Sequence, residues 1–317
     1  MLNFAKVFIF KQFSTSSDND KLNPWFVTGL IDAEGCFNIS ICKSLKKSKL
    51  GWYIQARFIL ELHIKDLALL RDLQSFCGGI GTITTTGTVA RFTIVSLKDI
   101  INFVLPHFDN FPLQSVKKLD FDLWRACVII MSNKGHLTLE GIKEIFSLKA
   151  ALNYGLSDAL KSVFSASEGH FPPVIKPSYT PSLTPLHPFW ISGFVTGDGS
   201  FNVSVNSKNQ VFPFFSIGLL SKDKLLLLKI QEYFGFGRVY YSGKTAQFKV
   251  FRIADLLSLI SQDDNGHFYS YPVAGFKRYN YNLWTEIIYL ISAKQHLTSQ
   301  GLTQLLYLKK KLNKWND

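Results

Sequence analysis

Two stretches of this chain repeat one another in a single register. Lys117, Leu123, Trp124, Ser132, Lys134, His136, Leu137, Thr138, Gly141, Leu148, Lys149, Leu152 and Asn153 recur unchanged 160 positions later, from Lys277, Leu283 and Trp284 through to Leu312 and Asn313. His107 and Pro112 match His267 and Pro272 at the same offset. So long a period excludes a solenoid and implies one unit used twice. Ahead of this block, Phe26-Val-Thr-Gly-Leu-Ile-Asp-Ala-Glu-Gly35 is answered by Trp190-Ile-Ser-Gly-Phe-Val-Thr-Gly-Asp-Gly199. Each is an apolar, helix-length segment that ends in a small residue, an acid and a glycine.

The periodicity changes in the same order within each half. Phe37, Ile39 and Ile41 alternate with polar neighbours, as do Phe201, Val203 and Val205; period two marks a half-buried strand. A second strand (53–62; 212–220), a helix opening at Lys65-Asp66 or Lys222-Asp223, and two further strands follow. Those last strands are expected near 82–86 with 91–95, and near 238–241 with 247–253. Helical segments close each half, with Thr138 and Thr298 as N-caps. The expected fold is therefore α+β: two pseudo-symmetric αββαββα repeats, each a four-stranded antiparallel sheet forming half of a saddle. Six of the chain's 11 prolines fall between Ser165 and Pro188, which reads as an extended, semi-rigid linker. The expected boundaries are a leader over 1–22, a first repeat over 23–164, the linker over 165–188 and a second repeat over 189–317.

A net charge of +12 on a chain with only 18% charged residues points to an acidic polymer as partner. No apolar run approaches the roughly 18–20 residues that span a bilayer. Four cysteines without CxxC spacing suggest neither a zinc site nor a disulfide framework. The first 17 residues hold lysines and no acid. They read either as a mitochondrial transit peptide or as a frayed terminus or translated exon remnant.

The face of each sheet turned away from the helices is expected to carry long donors and small polar groups. In the first half these are Asn38, Ser40, Cys42, Gln55, Arg57, Thr82, Thr84, Arg91 and Thr93. Lys43, Lys46, Lys47 and Lys49 join them from the first strand connection. In the second half they are Asn202, Ser204, Asn206, Lys208, Ser216, Arg238, Tyr240, Lys244, Gln247 and Lys249. Two such sheets side by side form a basic saddle, and β-ribbons can enter the major groove of DNA.

Gly29 and Ala33, like Gly193 and Gly197, are four apart and would let two helix backbones approach closely. That packing would bring Glu34 and Asp198 together. At about 6 Å and an effective dielectric of about 20, two carboxylates repel by roughly 3 kcal/mol. Both helix C-termini add negative partial charge, so the arrangement calls for a cation. Oxygen ligands suit Mg²⁺, with Mn²⁺ as the alternative.

The segment Trp25 to Phe37, the diverged copy Ile191 to Gly199 and the paired Lys-x-His-Leu-Thr blocks at Lys134 and Lys294 resemble the LAGLIDADG homing endonucleases. The similarity is to monomeric, two-repeat, fungal mitochondrial intron-encoded members, and it covers the chain from about Asn23 onward. It implies that Glu34 and Asp198 are metal-binding catalytic acids, with the Ala33 and Gly197 carbonyls as further metal ligands. Lys117 and Lys277 would be basic residues near the cleavage centre. It implies hydrolysis of double-stranded DNA at a long asymmetric site by a monomer without an obligate protein partner. The alternatives are an RNA-splicing maturase that binds intron RNA, or an inactive DNA-binding protein on the same fold. Three departures stand out. Thr196 takes the place matched by Asp32, the acid pair is mixed, and Leu62 and Leu219 stand where some relatives carry a polar, water-ordering residue.

Overall fold

A computed structural model describes residues 22–46, 49–165, 174–207, 210–263 and 266–314. Most of the expected leader, Lys47, Lys208 and the front of the linker lie outside these residues.

The first repeat opens with helix α1 (Pro24–Glu34), capped by the Asn23 side chain accepting from Trp25 N at 2.9 Å. Strands β1 (Gly35–Lys43) and β2 (Trp52–His63) follow, then helix α2 (Leu67–Phe76) and strands β3 (Thr82–Thr86) and β4 (Val89–Ile94). Helical turns α3 (Leu97–Asp99) and α4 (Leu105–Asn110) lead into α5 (Lys117–Ser132), α6 (Leu139–Ala151) and α7 (Asp158–Ser165). The second repeat runs α8 (Pro188–Asp198), β5 (Gly199–Val205), β6 (Val211–Leu220), α9 (Lys224–Phe234), β7 (Arg238–Ser242) and β8 (Thr245–Val250). It closes with α10 (Ile253–Ile260), α11 (His267–Ser270), α12 (Gly275–Ser292) and α13 (Ser299–Lys311). The sheets are antiparallel, in the orders β1-β2-β4-β3 and β5-β6-β8-β7. No helix among the described residues is long and apolar enough to cross a membrane.

Alternation along each strand decides which face meets the helices. Phe37, Ile39, Ala56, Phe58, Leu60 and Phe92 are buried under the first helical layer, and Phe201, Phe215, Ile217 and Phe248 under the second. The residues repeated in sequence hold the two layers in matching ways. Trp124 Nε1 donates to Asn38 O at 3.2 Å and Trp284 Nε1 to Asn202 O at 3.1 Å. Asn153 and Asn313, both with positive φ, turn the chain after the last long helix and donate from Nδ2 to Phe37 O and Phe201 O. Short Asn side chains tolerate that left-handed conformation. Thr138 and Thr298 cap α6 and α13 as expected, accepting from Gly141 N and Gly301 N.

One strand differs from expectation. The pattern predicts strand as far as Ile253, yet β8 stops at Val250 and α10 begins at Ile253. Phe251 continues the alternation without a ladder partner, because β6 pairs no further than Phe215 with Val250, and at the exposed Arg252 the alternation ends.

Candidate active site

Helices α1 and α8 pack so closely that main chain meets main chain. A Cβ on Gly29 would overlap Trp190 O, and one on Gly193 would overlap Phe26 O. Leu30, Ile31, Ile191 and Val195 are buried around this seam. Gly35 and Gly199 end the helices with extended φ. They are glycines for lack of room, since a Cβ on Gly35 would lie 2.5 Å from Ile31 Cγ2.

The acids therefore emerge side by side. The space above the Gly197 Cα, one residue before Asp198, is already taken by Ala33 and Glu34, whose Cβ and Oε1 would lie 2.5 and 3.2 Å from an added Cβ. Burial first, and then the negative charge of Glu34, together raise the Asp198 carboxyl to about 6 against the pull of Lys117 and Lys277. Glu34 reaches solvent at its end, but the protein around it raises its carboxyl as well. Two acids that both resist ionisation beside each other form a site for positive charge.

Two lysines flank the pair. Lys117 Nζ, at the start of α5, donates to Ile31 O and Ala33 O, each at 3.0 Å. Lys277 Nζ, at the start of α12, donates to Gly197 O at 3.3 Å and to Gly199 O. Burial lowers both ammonium groups, and the neighbouring carboxylates partly restore them. The lysines also neutralise the C-terminal ends of α1 and α8. The Ala33 and Gly197 carbonyls, which the resemblance implies as metal ligands, accept from these lysines, so a cation there would share those oxygens with them. Among the described residues no group of three or more His, Cys, Asp or Glu could hold a metal by itself.

The first acid of the longer motif is structural. Asp32 is buried and accepts from Gln114 N (2.7 Å), Ser115 N (3.2 Å), Ser115 Oγ (2.6 Å) and Trp190 Nε1 (2.8 Å). Its counterpart Thr196 accepts only from Ala274 N, at 3.2 Å, and donates to Ser192 O. One buried carboxylate thus ties α1 to the chain entering α5 and to the other repeat's motif helix.

The register puts Asn38, Ser40, Cys42, Gln55, Arg57, Arg91, Thr82, Thr84 and Thr93 on one face of the first sheet, opposite its buried residues. Asn202, Ser204, Ser216, Arg238, Tyr240, Gln247 and Lys249 share the equivalent face of the second. Lys43, Lys46, Lys49, Asn206 and Lys244 lie at exposed strand ends and turns. The position assigned to Leu62 and Leu219 needs correction, because both pack on the cores. Strand alternation puts Glu61 and Gly218 on the polar face instead, opposite Arg91 and Gln247. Glu61 pairs with Arg91 at 2.6 Å.

Sequence reasoning missed three further groups. Asp66 and Asp223, which marked only helix openings, cross to the opposite repeat just ahead of Lys277 and Lys117. Lys176, from the linker, pairs with Asp120 at 2.6 Å beside a cavity of about 700 Å³ lined by Lys117, Asp198 and Asp223. Contacts between residues so distant in the chain leave no local pattern, although the Lys-Asp dipeptide shared by both repeats was visible.

Similarity to known proteins agrees with this geometry. The LAGLIDADG endonuclease family model matches residues 27–128 and 191–288. The chain is 39% identical over 314 residues to the probable intron-encoded endonuclease 3 of Neurospora crassa, covering 96% of this chain and 57% of that protein. It is 34% identical over 300 residues to the probable intron-encoded endonuclease 2 of the same organism, covering 92% of this chain and 65% of that protein. The chain thus spans less than two thirds of these relatives. Among solved structures, I-SmaMI bound to uncleaved DNA target in the presence of calcium ions matches with 34% identity and a TM-score of 0.85, over 93% of this chain and 100% of that one. I-GzeII in complex with a DNA target matches with 31% identity and a TM-score of 0.85, over 94% and 100%. With two copies of the motif helix, two matching sheets and a family match in each half, this chain belongs to the LAGLIDADG endonuclease family.

Proposed function

We propose that the chain is a site-specific double-strand DNA endonuclease, acting as a monomer on a long asymmetric target to promote intron mobility. The observation that carries this reading is the convergence of Glu34 and Asp198 at one seam, each flanked by a half-buried lysine, between two sheets with polar outer faces. I-SmaMI bound to cleaved DNA and the intron-encoded relatives support it. Relatives from introns of the fungal ND4 and cox1 genes support a mitochondrial setting.

The donor set fits a hard divalent cation, because two carboxylates whose protons are held unusually tightly offer oxygen ligands and demand positive charge. Glu34 and Asp198 would hold Mg²⁺, with Mn²⁺ as a substitute. When bound, such an ion supplies water activation and neutralises charge on the leaving oxygen. Lys117 and Lys277 add fixed positive charge where a phosphate builds up negative charge. Being held against backbone carbonyls, they need little reorganisation to do so. The two sheets anchor the flanking DNA, while Gly29, Ala33, Gly193 and Gly197 hold the catalytic ends in register.

The test is selection of cleaved sites from a randomised duplex library with Mg²⁺, followed by Glu34→Gln and Asp198→Asn on the recovered site. Wild type should cut, and both variants should bind without cutting. Full cleavage by either variant would overturn the assigned roles. An intron-splicing assay run beside it separates the maturase reading, in which RNA would be spliced while DNA stays intact.

A further inference from the structure

The two sheets differ in chemistry at one pair of adjacent polar-face positions. Because Gly35 aligns with Leu60 in the first sheet and Gly199 with Ile217 in the second, Gln55 and Arg57 correspond to Phe212 and Phe214. Arg57 Nε donates to Gln55 Oε1 at 2.8 Å, which leaves its outer nitrogens turned from that bond and able to donate elsewhere. In the second sheet the same places carry apolar rings. Phe214 packs against Phe251 with centroids 5.5 Å apart, and Phe251 meets Tyr240 edge-on at 6.3 Å. Lys249 Nζ sits 5.8 Å from the Phe214 centroid. Phe212 and Phe251 are each 48% exposed and Tyr240 is 45% exposed. The helical layer lies on the other face, against Phe215 and Phe248.

Phenylalanines exposed on the polar side of a sheet are costly in water and act as recognition surface when a partner covers them. Phe251 has this orientation because it continues the β8 alternation past the end of pairing. A phenyl ring cannot hydrogen-bond a base edge. The C5 methyl of thymine is the apolar group that the major groove presents for such a ring to contact. The neighbouring Lys249 supplies a cation for the phosphate beside such a base.

Building on the proposed endonuclease reading, we infer that Phe214 and Phe251 form a methyl-reading contact, so the half-site under the second sheet carries thymine there. The mirror position of the first half-site, under Gln55 and Arg57, is read by hydrogen bonds, with guanine as the base that suits Arg57. The two half-sites therefore differ in the kind of readout and not merely in sequence.

The experiment uses the full chain and a cleaved site recovered from the randomised library. Each thymine of the second half-site is replaced singly by deoxyuridine, which removes only the methyl. At one or two positions binding should weaken about four-fold, the ratio that corresponds to roughly 0.8 kcal/mol for one buried methyl group. Phe214→Ser should abolish that discrimination, and Phe214→Arg should shift selection at the same position towards guanine. Unchanged base preferences in the first half-site report that these variants are folded. Indifference to deoxyuridine throughout the second half-site would overturn the inference, as would a Phe214→Ser protein that still selects thymine as wild type does. If the wild type cuts no library member, the nuclease reading fails. The methyl contact is then tested on sites recovered by binding with Ca²⁺, using the same substitutions and the same outcomes.

Discussion

Asp223 of the second repeat accepts a hydrogen bond from the backbone nitrogen of Val116 in the first, at 3.2 Å. Asp66 returns the contact, accepting from Phe276 N in the second repeat at 2.6 Å. Val116 and Phe276 each stand one residue before a flanking lysine. The N-cap residues Val116 and Ala274 make no side-chain cap, so an acid from the opposite half serves each helix start, joined at α5 by Ser115 Oγ, which accepts from Lys117 N at 3.1 Å. Asp223→Ala should cost about 0.5–2 kcal/mol, the usual range for a lost cap. On a supercoiled plasmid bearing the site it should also slow one strand's cleavage more than the other's. Equal slowing of both strands would contradict a local effect through Lys117.

The acid pair sets an expectation for pH. The Asp198 carboxyl is raised to about 6 from 3.8. Folding then binds a proton more tightly than the open chain does, so this contribution to stability is complete below about pH 4 and is lost as pH rises through about 6. In metal-free buffer at pH 7, Asp198→Asn should be more stable than wild type by about 1–2 kcal/mol after allowance for residual solvent contact. The difference should vanish near pH 4. Urea melts at both values check this, and a less stable variant at pH 7 would contradict it.

Added Mg²⁺ should raise the wild-type melting temperature at pH 7.5 far more than at pH 4.5, where a proton occupies Asp198. Asp198→Asn should lose most of that response at pH 7.5. Thermal melts with and without chelator are sufficient, and no DNA is needed.

Lys117→Met should leave the Ile31 and Ala33 carbonyls without their donor and remove charge beside the acids. The cleavage rate should fall at least ten-fold while affinity for the site changes little, measured by single-turnover kinetics and gel shift. A proportional loss of affinity would instead assign Lys117 to DNA binding alone.

Gly29→Val or Gly193→Val should destabilise the protein by about 3 kcal/mol, because the added atoms meet opposing main chain that has nowhere to go. Chemical denaturation measures the loss. Near-neutral behaviour would mean that the two helices separate in solution.

The sequence made the architecture readable because strand alternation and the repeat reinforce each other. Phe37 and Phe201, Trp124 and Trp284, and Asn153 and Asn313 do matching work in the two halves. The end of β8 was misread because Phe251 keeps the alternation after its ladder partner is gone. Glu61 and not Leu62 holds the polar position because the pleat turns it to that face, and a shift of one residue along a strand inverts the side chain's direction. Asp66 and Asp223 were hidden for a different reason, as their partners lie 210 and 107 residues away. The lysine bonds to Ala33 and Gly197 likewise depend on where α5 and α12 come to rest.

The glycine seam has a consequence for how such a protein could change its target. With two backbones in direct apposition, the span between the chemical centres is a property of the polypeptide skeleton, indifferent to which side chains decorate the outer strands. Recognition could drift base by base in either arm while the calliper at the middle kept its setting.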